Sequence, residues 1–208
     1  MMQNNKKVII VTGGIGTGKS TAVNILKEMG YKVLDSDRIV HEGYDEGGEI
    51  YEEVVKSFGN DIIENDGTIN RQQLGKIVFS DAKKLKHLNE IVHAYVFRKL
   101  IDGIRSCEDK VIFLDIPLAI EEIKHIKKSD IKYDEIWLIY VRCEIQKDRL
   151  IKRAINENKN PDDVLKIIEK QISIEDKKSV ADEVIINEGT VEELKYKLEK
   201  LLIKKDLI

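Results

Sequence analysis

The sequence predicts an α/β fold in which short parallel strands carry helices on both faces. Three observations lead there. Val8–Val11 and Val111–Leu114 are continuous apolar runs, and Glu135–Val141 is a third apolar segment. Runs of that length, rich in β-branched residues, suit strands covered on both sides. Helical spacing follows the first of them, with Ala22, Val23, Ile25, Leu26 and Met29 on one face and Gly30 past the end. Between that strand and helix lies a glycine-rich turn.

The turn reads Thr12-Gly13-Gly14-Ile15-Gly16-Thr17-Gly18-Lys19-Ser20-Thr21 and matches G-x-x-x-x-G-K-[ST] in its required strand-to-helix context. Glycines let successive backbone N–H groups turn inward around phosphate oxygens, and the helix beginning near Lys19 adds its own N-terminal donors. Lys19 has the reach to meet terminal phosphates as a point charge. The Ser20 hydroxyl suits one position on a magnesium ion that otherwise keeps much of its water. A ligand-free turn needs neither the five-residue spacing nor Lys-Ser after the last glycine.

Composition bounds what surrounds this loop. The 208 residues suffice for one large domain, or for one domain with an insertion, around a real core. With 35 basic and 38 acidic residues the net charge is −3, which argues against a general nucleic-acid surface. Cys107 and Cys143 match no metal-ligand spacing and read as reduced packing thiols of a cytoplasmic protein. The opening Met1–Lys7 is polar and the apolar run after it stops at Val11, too short for a secretory core or a membrane span. None of this fixes an oligomeric state.

Along the chain, Tyr31–Leu34 reads as a short strand ending in Asp35-Ser36-Asp37. Ligands of parallel sheets collect beyond the carboxyl ends of strands, so the two carboxylates are candidates to orient metal-bound water and to accept a proton. Asp37 is equally placed to cap the helix that follows. From His41 to Arg105 helical patterns run without a convincing strand, a helical insertion carrying Arg71 and His93. Arg71 reads either as a phosphate fork or as a solvated helix residue, and His93 as structural. The run Val111–Leu114 closes on Asp115, a fitting second acid for a phosphate-loop magnesium site, although strands often end in Asp.

Ile116-Pro117-Leu118 is expected to start a helix ending near Lys128. Trp137 reads as core. The helix over Glu144–Ala154 sets Arg149 and Arg153 on one face, for charge neutralisation or for surface pairing with Glu144, Gln146 or Asp148. Asn156–Pro161 is a polar break, then a helix spans Asp162–Gln171. Ala181–Gly189 reads as a last short strand followed by a turn, and Thr190 with Glu193 caps a final helix.

Taken together, Thr12–Ser20, Asp35-Ser36-Asp37, Phe58-Gly59, Gly67–Arg71, Leu88-Asn89 with His93, Asp115–Leu118, Gln146 with Arg149 and Arg153, and Ala181-Asp182 with Asn187 and Gly189 resemble the dephospho-coenzyme A kinases over nearly the whole chain. The resemblance implies transfer of the γ-phosphoryl of ATP to the ribose 3′-hydroxyl of dephospho-CoA. It implies a three-layer P-loop kinase fold: a five-stranded parallel sheet in a nucleotide-binding core (1–40, 106–144 and 180–208), a helical acceptor domain (41–105) and a lid (145–179).

By residue, the resemblance implies Asp37 as base, with Asp35 supporting it or the metal. It implies Gly13, Gly14, Gly16, Thr17, Gly18, Lys19, Ser20 and Thr21 around ATP and Mg2+, and Asn187 and Gly189 as the turn against adenine. Arg149 and Arg153 become lid charges. Arg71, His93, Pro117 and Leu118 fall on the acceptor side, and Asp115 joins Ser20 and Asp35 at the metal. The chain departs from similar proteins at Ala94, where they carry proline, and at Lys166, where an arginine usually precedes the lid glutamine; lysine does not reproduce a bidentate fork. Two other readings stand beside this one. A different small-molecule kinase would differ within 41–105. A guanine-reading switch would want Asn-Lys-x-Asp, and Asn158-Lys159-Asn160-Pro161 fails at the fourth position.

Overall fold

The computed structural model describes residues 6–208, so the polar opening at Met1–Asn5 lies outside it. Strand β1 (Lys7–Gly13) leads through the glycine-rich loop into α1 (Lys19–Glu28), and β2 (Lys32–Asp35) follows. Helices α2 (Ser36–Tyr44), α3 (Glu49–Phe58), α4 (Arg71–Phe79) and α5 (Ala82–Ser106) come next. Then β3 (Val111–Asp115), α6 (Ile123–Lys128) and β4 (Glu135–Tyr140) alternate. The helices α7 (Cys143–Asn156), α8 (Pro161–Lys170) and α9 (Ile174–Lys178) precede β5 (Glu183–Ile186) and α10 (Val191–Lys204). The described chain divides into two compact units, one of Asp35–Ser106 and one of the residues before and after it.

The first unit is built on a five-stranded parallel sheet in the order β2-β3-β1-β4-β5. Its registers pair Ile9 with Phe113, Val11 with Trp137 and Ile139 with Ile185. The α/β class and the five-stranded sheet expected from the sequence are both present. Val8, Ile9, Ile10 and Val11 are all buried, as a strand covered on both faces requires. On one face Ile9, Val11, Phe113, Trp137, Ile139 and Ile185 pack against Ala22, Val23 and Leu26 of α1 and Leu194, Leu198 and Leu202 of α10. On the other, Leu138 and Tyr140 meet Ile174 of α9. Because β1 is central, its carboxyl end brings the glycine-rich loop to the middle of the sheet edge where ligands collect.

Trp137 is fully buried, its ring 5.4 Å from Phe113, and its indole N–H donates to Glu135 at 2.9 Å. The reading of Trp137 as core therefore holds. Trp137→Ala is expected to destabilise the protein by about 3–5 kcal/mol, the usual cost of truncating a buried large aromatic; a urea midpoint within experimental error of the parent would contradict this.

Two local expectations need correction. The helix expected from Ile116 begins only at Ile123, and residues 117–122 form turns. The Thr12 hydroxyl donates to the Pro117 carbonyl at 3.0 Å, which fastens this segment to the end of β1 instead of to a helical ladder. The short helix α9, capped by the Ser173 hydroxyl, was not anticipated either. Five residues carry too little periodicity to announce a helix.

The second unit is helical. Ile50, Val54, Ile62, Ile69, Leu74 and Val78 form its core, with Leu85, Leu88, Ile91 and Val92 of α5 packed against them. Asn70 caps α4 by accepting from Gln73 N–H at 2.7 Å. Asp35 caps α2 by accepting from Arg38 N–H at 3.0 Å, so the capping carboxylate is Asp35, while Asp37 sits exposed in the first turn. Among the described residues no helix is long and apolar enough to cross a membrane.

Candidate active site

The loop between β1 and α1 is held from several sides within the first unit. Gly18 takes φ 84°, in the left-handed region, and is the N-cap position of α1. It brings no capping side chain, so first-turn N–H groups of α1 are left facing a prospective anion. A Cβ at Gly18 would lie 2.2 Å from Asn187 Nδ2. That amide donates to the Thr17 carbonyl at 2.8 Å, so buried Asn187, just past β5, is tied to the loop's backbone. Thr17 is itself buried and returns its hydroxyl to the Gly14 carbonyl at 2.8 Å.

Lys19 and Asp115 meet as an ion pair at the carboxyl ends of β1 and β3. Their side chains are only 13% and 7% exposed, so water screens the attraction weakly. The register of β1 beside β3 aligns Val11 with Asp115 and delivers the carboxylate to this edge. Ser20 is exposed and Thr21 half-buried in the first turn of α1. Both offer hydroxyl oxygens beside the loop.

Arg149 and Arg153, both on α7, differ. A guanidinium nitrogen of Arg149 comes within 3.9 Å of where a Gly18 Cβ would stand, beside the loop. Arg153 instead ion-pairs with Glu157 at 2.7 Å. Hydrogen bonds from Lys159 and Arg153 hold the Glu157 carboxyl down to about 2, so Arg153 keeps an ionised partner across the working pH range. Asp148 pairs with Lys152, and Gln146 is buried, so neither is the surface partner considered for these arginines.

Pro117 joins the end of β1 through its carbonyl, Leu118 is exposed, and Gly189 lies exposed beyond Asn187. In the second unit, Asp35 and Asp37 stand at the head of α2. Arg71 lies 5.7 Å over the Tyr44 ring with His41 Nδ1 at 3.5 Å, and His93 stacks on Phe97. The Tyr44 phenol is pushed up by burial, and the Arg71 charge acts against that rise.

Sequence reasoning did not find the roles of Gln146 and Gln171. Gln146 Nε2 donates to the Ile15 carbonyl at 2.8 Å, and Gln171 Oε1 accepts from the Ile15 N–H at 3.3 Å. One signal was available: Gln146, Leu150 and Ala154 repeat at i, i+4 on α7, and an amide within such an apolar stripe asks for a buried partner.

A family model described as dephospho-CoA kinase matches residues 7–193. The dephospho-CoA kinase of Aquifex aeolicus is 37% identical, over 94% of this chain and 95% of that one. Among solved structures, TT1252 from Thermus thermophilus is 29% identical with a TM-score of 0.78, covering 96% of this chain and 97% of that one. The dephospho-CoA kinase of Campylobacter jejuni is 25% identical with a TM-score of 0.68, covering 98% and 100%. With a phosphate loop set at the middle of a parallel sheet and a family match across both of its units, this chain belongs to the dephospho-CoA kinase family.

Proposed function

We propose that this protein transfers the γ-phosphoryl group of ATP to the ribose 3′-hydroxyl of dephospho-CoA, giving CoA and ADP in the last step of CoA biosynthesis. One observation carries the reading: the family match runs through residues 7–193 and so includes the helical unit Asp35–Ser106. A phosphate loop alone would suit many nucleotide-binding proteins.

In this reading the amides of Gly13, Gly14, Gly16, Thr17 and Gly18, with Ser20 and Thr21 at the head of α1, cradle the ATP phosphates. Lys19 leaves Asp115 for the terminal phosphates. Asn187 and Gly189 edge the adenine. Asp37 accepts the proton of the 3′-hydroxyl, and Asp35 supports it. Arg149 neutralises charge on the moving phosphoryl group, and Arg153 joins it by exchanging Glu157 for phosphate oxygens. Arg71, His93, Pro117 and Leu118 form the acceptor side. The nucleotide core is then 1–40, 106–144 and 180–208, the acceptor domain 41–105 and the lid 145–179.

Phosphoryl transfer asks mainly for alignment and charge neutralisation, which these groups provide. Ser20 and Asp115 offer hydroxyl and carboxylate oxygens of the kind a small hard cation takes, so they fit magnesium, with Asp35 as a further ligand. When bound, magnesium supplies charge neutralisation on the β- and γ-phosphates. A cytoplasmic location and a small-molecule partner, without nucleic acid, complete the reading.

The test is an acceptor panel with magnesium and ATP: dephospho-CoA, nucleosides, nucleotides and sugars. Phosphate should go to dephospho-CoA, read as CoA formed. Faster phosphorylation of another acceptor, or ATP binding with no acceptor phosphorylated at any magnesium level, would overturn the proposal.

A further inference from the structure

The lid segment leaves the core and returns to it at the same residue, Ile15. Helix α7 begins just after β4, and at its second turn Gln146, 2% exposed, donates to the Ile15 carbonyl at 2.8 Å. The α7–α8 hairpin comes back at Gln171, directly past α8, whose side-chain oxygen accepts from the Ile15 N–H at 3.3 Å. Both backbone polar groups of one phosphate-loop residue are thus taken by the two roots of the hairpin. Contact is close: a Cβ at Gly14 would lie 2.6 Å from Gln146 Nε2 and 3.6 Å from Ile174 Cδ1.

The returning root is anchored from behind. Glu121 accepts from the Ile172 N–H at 3.3 Å and ion-pairs at 2.7 Å with Lys177, whose side chain is fully buried. Glu175, on the same short helix, accepts from the Tyr140 hydroxyl on β4. A buried lysine beside a carboxylate is costly to displace, so α9 is fixed to the core and Gln171 is set in place by it.

We propose that Gln146 and Gln171 are positioning residues that clamp Ile15 between the two roots of the α7–α8 hairpin. The clamp turns the N–H and the carbonyl of Ile15, in the two peptide groups that flank it, away from the phosphates and holds the neighbouring loop amides in their inward orientation. It also sets Arg149, three residues beyond Gln146 on the same helix, in register with the loop that holds the phosphoryl donor. This role rests on the kinase reading above.

The test compares the parent with Gln146→Met, Gln171→Met, the double variant and Gln171→Glu. Methionine keeps the length of glutamine and removes its hydrogen bonds, whereas glutamate at 171 keeps the acceptor for the Ile15 N–H. Amide exchange at Ile15 reads the clamp without any turnover. It should speed up by about ten-fold in Gln171→Met and stay near the parent in Gln171→Glu, the scale of one lost hydrogen bond.

With ATP and dephospho-CoA, each Met variant should lose about five- to twenty-fold in kcat/KM for ATP, on the same scale of one lost hydrogen bond. The double variant should lose less than the product of the singles, because either release frees the backbone at the same residue. A packing role alone would lower the melting temperature and leave both readouts unchanged. Parental exchange at Ile15 in Gln171→Met, or kcat/KM within two-fold of the parent in both Met variants, would overturn the clamp. A parent that does not phosphorylate dephospho-CoA would overturn the kinase reading instead, with the exchange experiment still deciding the clamp.

Discussion

Lys19→Ala lowers kcat by about a hundred- to a thousand-fold, the scale seen when one preorganised donor to developing transition-state charge is removed. Lys19 stands where the loop meets α1, and its ammonium group holds the buried Asp115 carboxylate. In the proposed reaction it passes from that carboxylate to the terminal phosphates, so removing it acts on the transition state more than on ground-state binding. The substitution also takes a cation from beside a buried carboxylate, which costs stability on the order of 3 kcal/mol. The double variant Lys19→Ala/Asp115→Asn separates the two effects. It should recover part of the melting temperature and none of the activity. Single-turnover phosphoryl transfer within ten-fold of the parent in Lys19→Ala would remove the lysine from the proposed role.

Asp37→Asn lowers kcat by about a hundred-fold or more, as expected for loss of a positioned proton acceptor. The amide is nearly the same shape and cannot take a proton from the 3′-hydroxyl. Asp37 is exposed in the first turn of α2 and is not the capping residue, so the exchange leaves the Asp35 cap intact. KM for both substrates should move little, because the interaction is made in the transition state. Near-parental turnover in Asp37→Asn would assign proton acceptance elsewhere.

Much of the fold was legible because local chemistry and tertiary environment agree in the first unit. Val8–Val11 is apolar at every position since both faces of β1 are covered, and a strand of that kind announces itself without any partner. Thr190 caps α10 through the Glu193 N–H, a short-range bond that the sequence spells out. At the segment after Ile116 a distant group intervened. The Pro117 carbonyl, 105 residues from Thr12 along the chain, accepts that hydroxyl, and the expected helix gives way to turns. At α2 the sequence offered Asp37 as the cap, and the backbone path out of β2 gives that role to Asp35 instead.

The candidate site divides along the same line. The sequence by itself determined the phosphate loop, because backbone curvature, phosphate charge and a helix N-terminus each demand particular residue types at fixed spacing. It also marked Asp115 as a candidate, the acid at the end of an apolar strand. Only the tertiary structure decided that Lys19 lies on Asp115, that Asn187 holds Thr17 across 170 residues, and that Gln146 and Gln171 reach the backbone of the same residue, Ile15. These contacts join residues far apart in the chain, and a buried hydrogen bond leaves no periodic mark on either partner. What a glutamine does is set by which backbone group it finds, and the fold alone brings Ile15 to it.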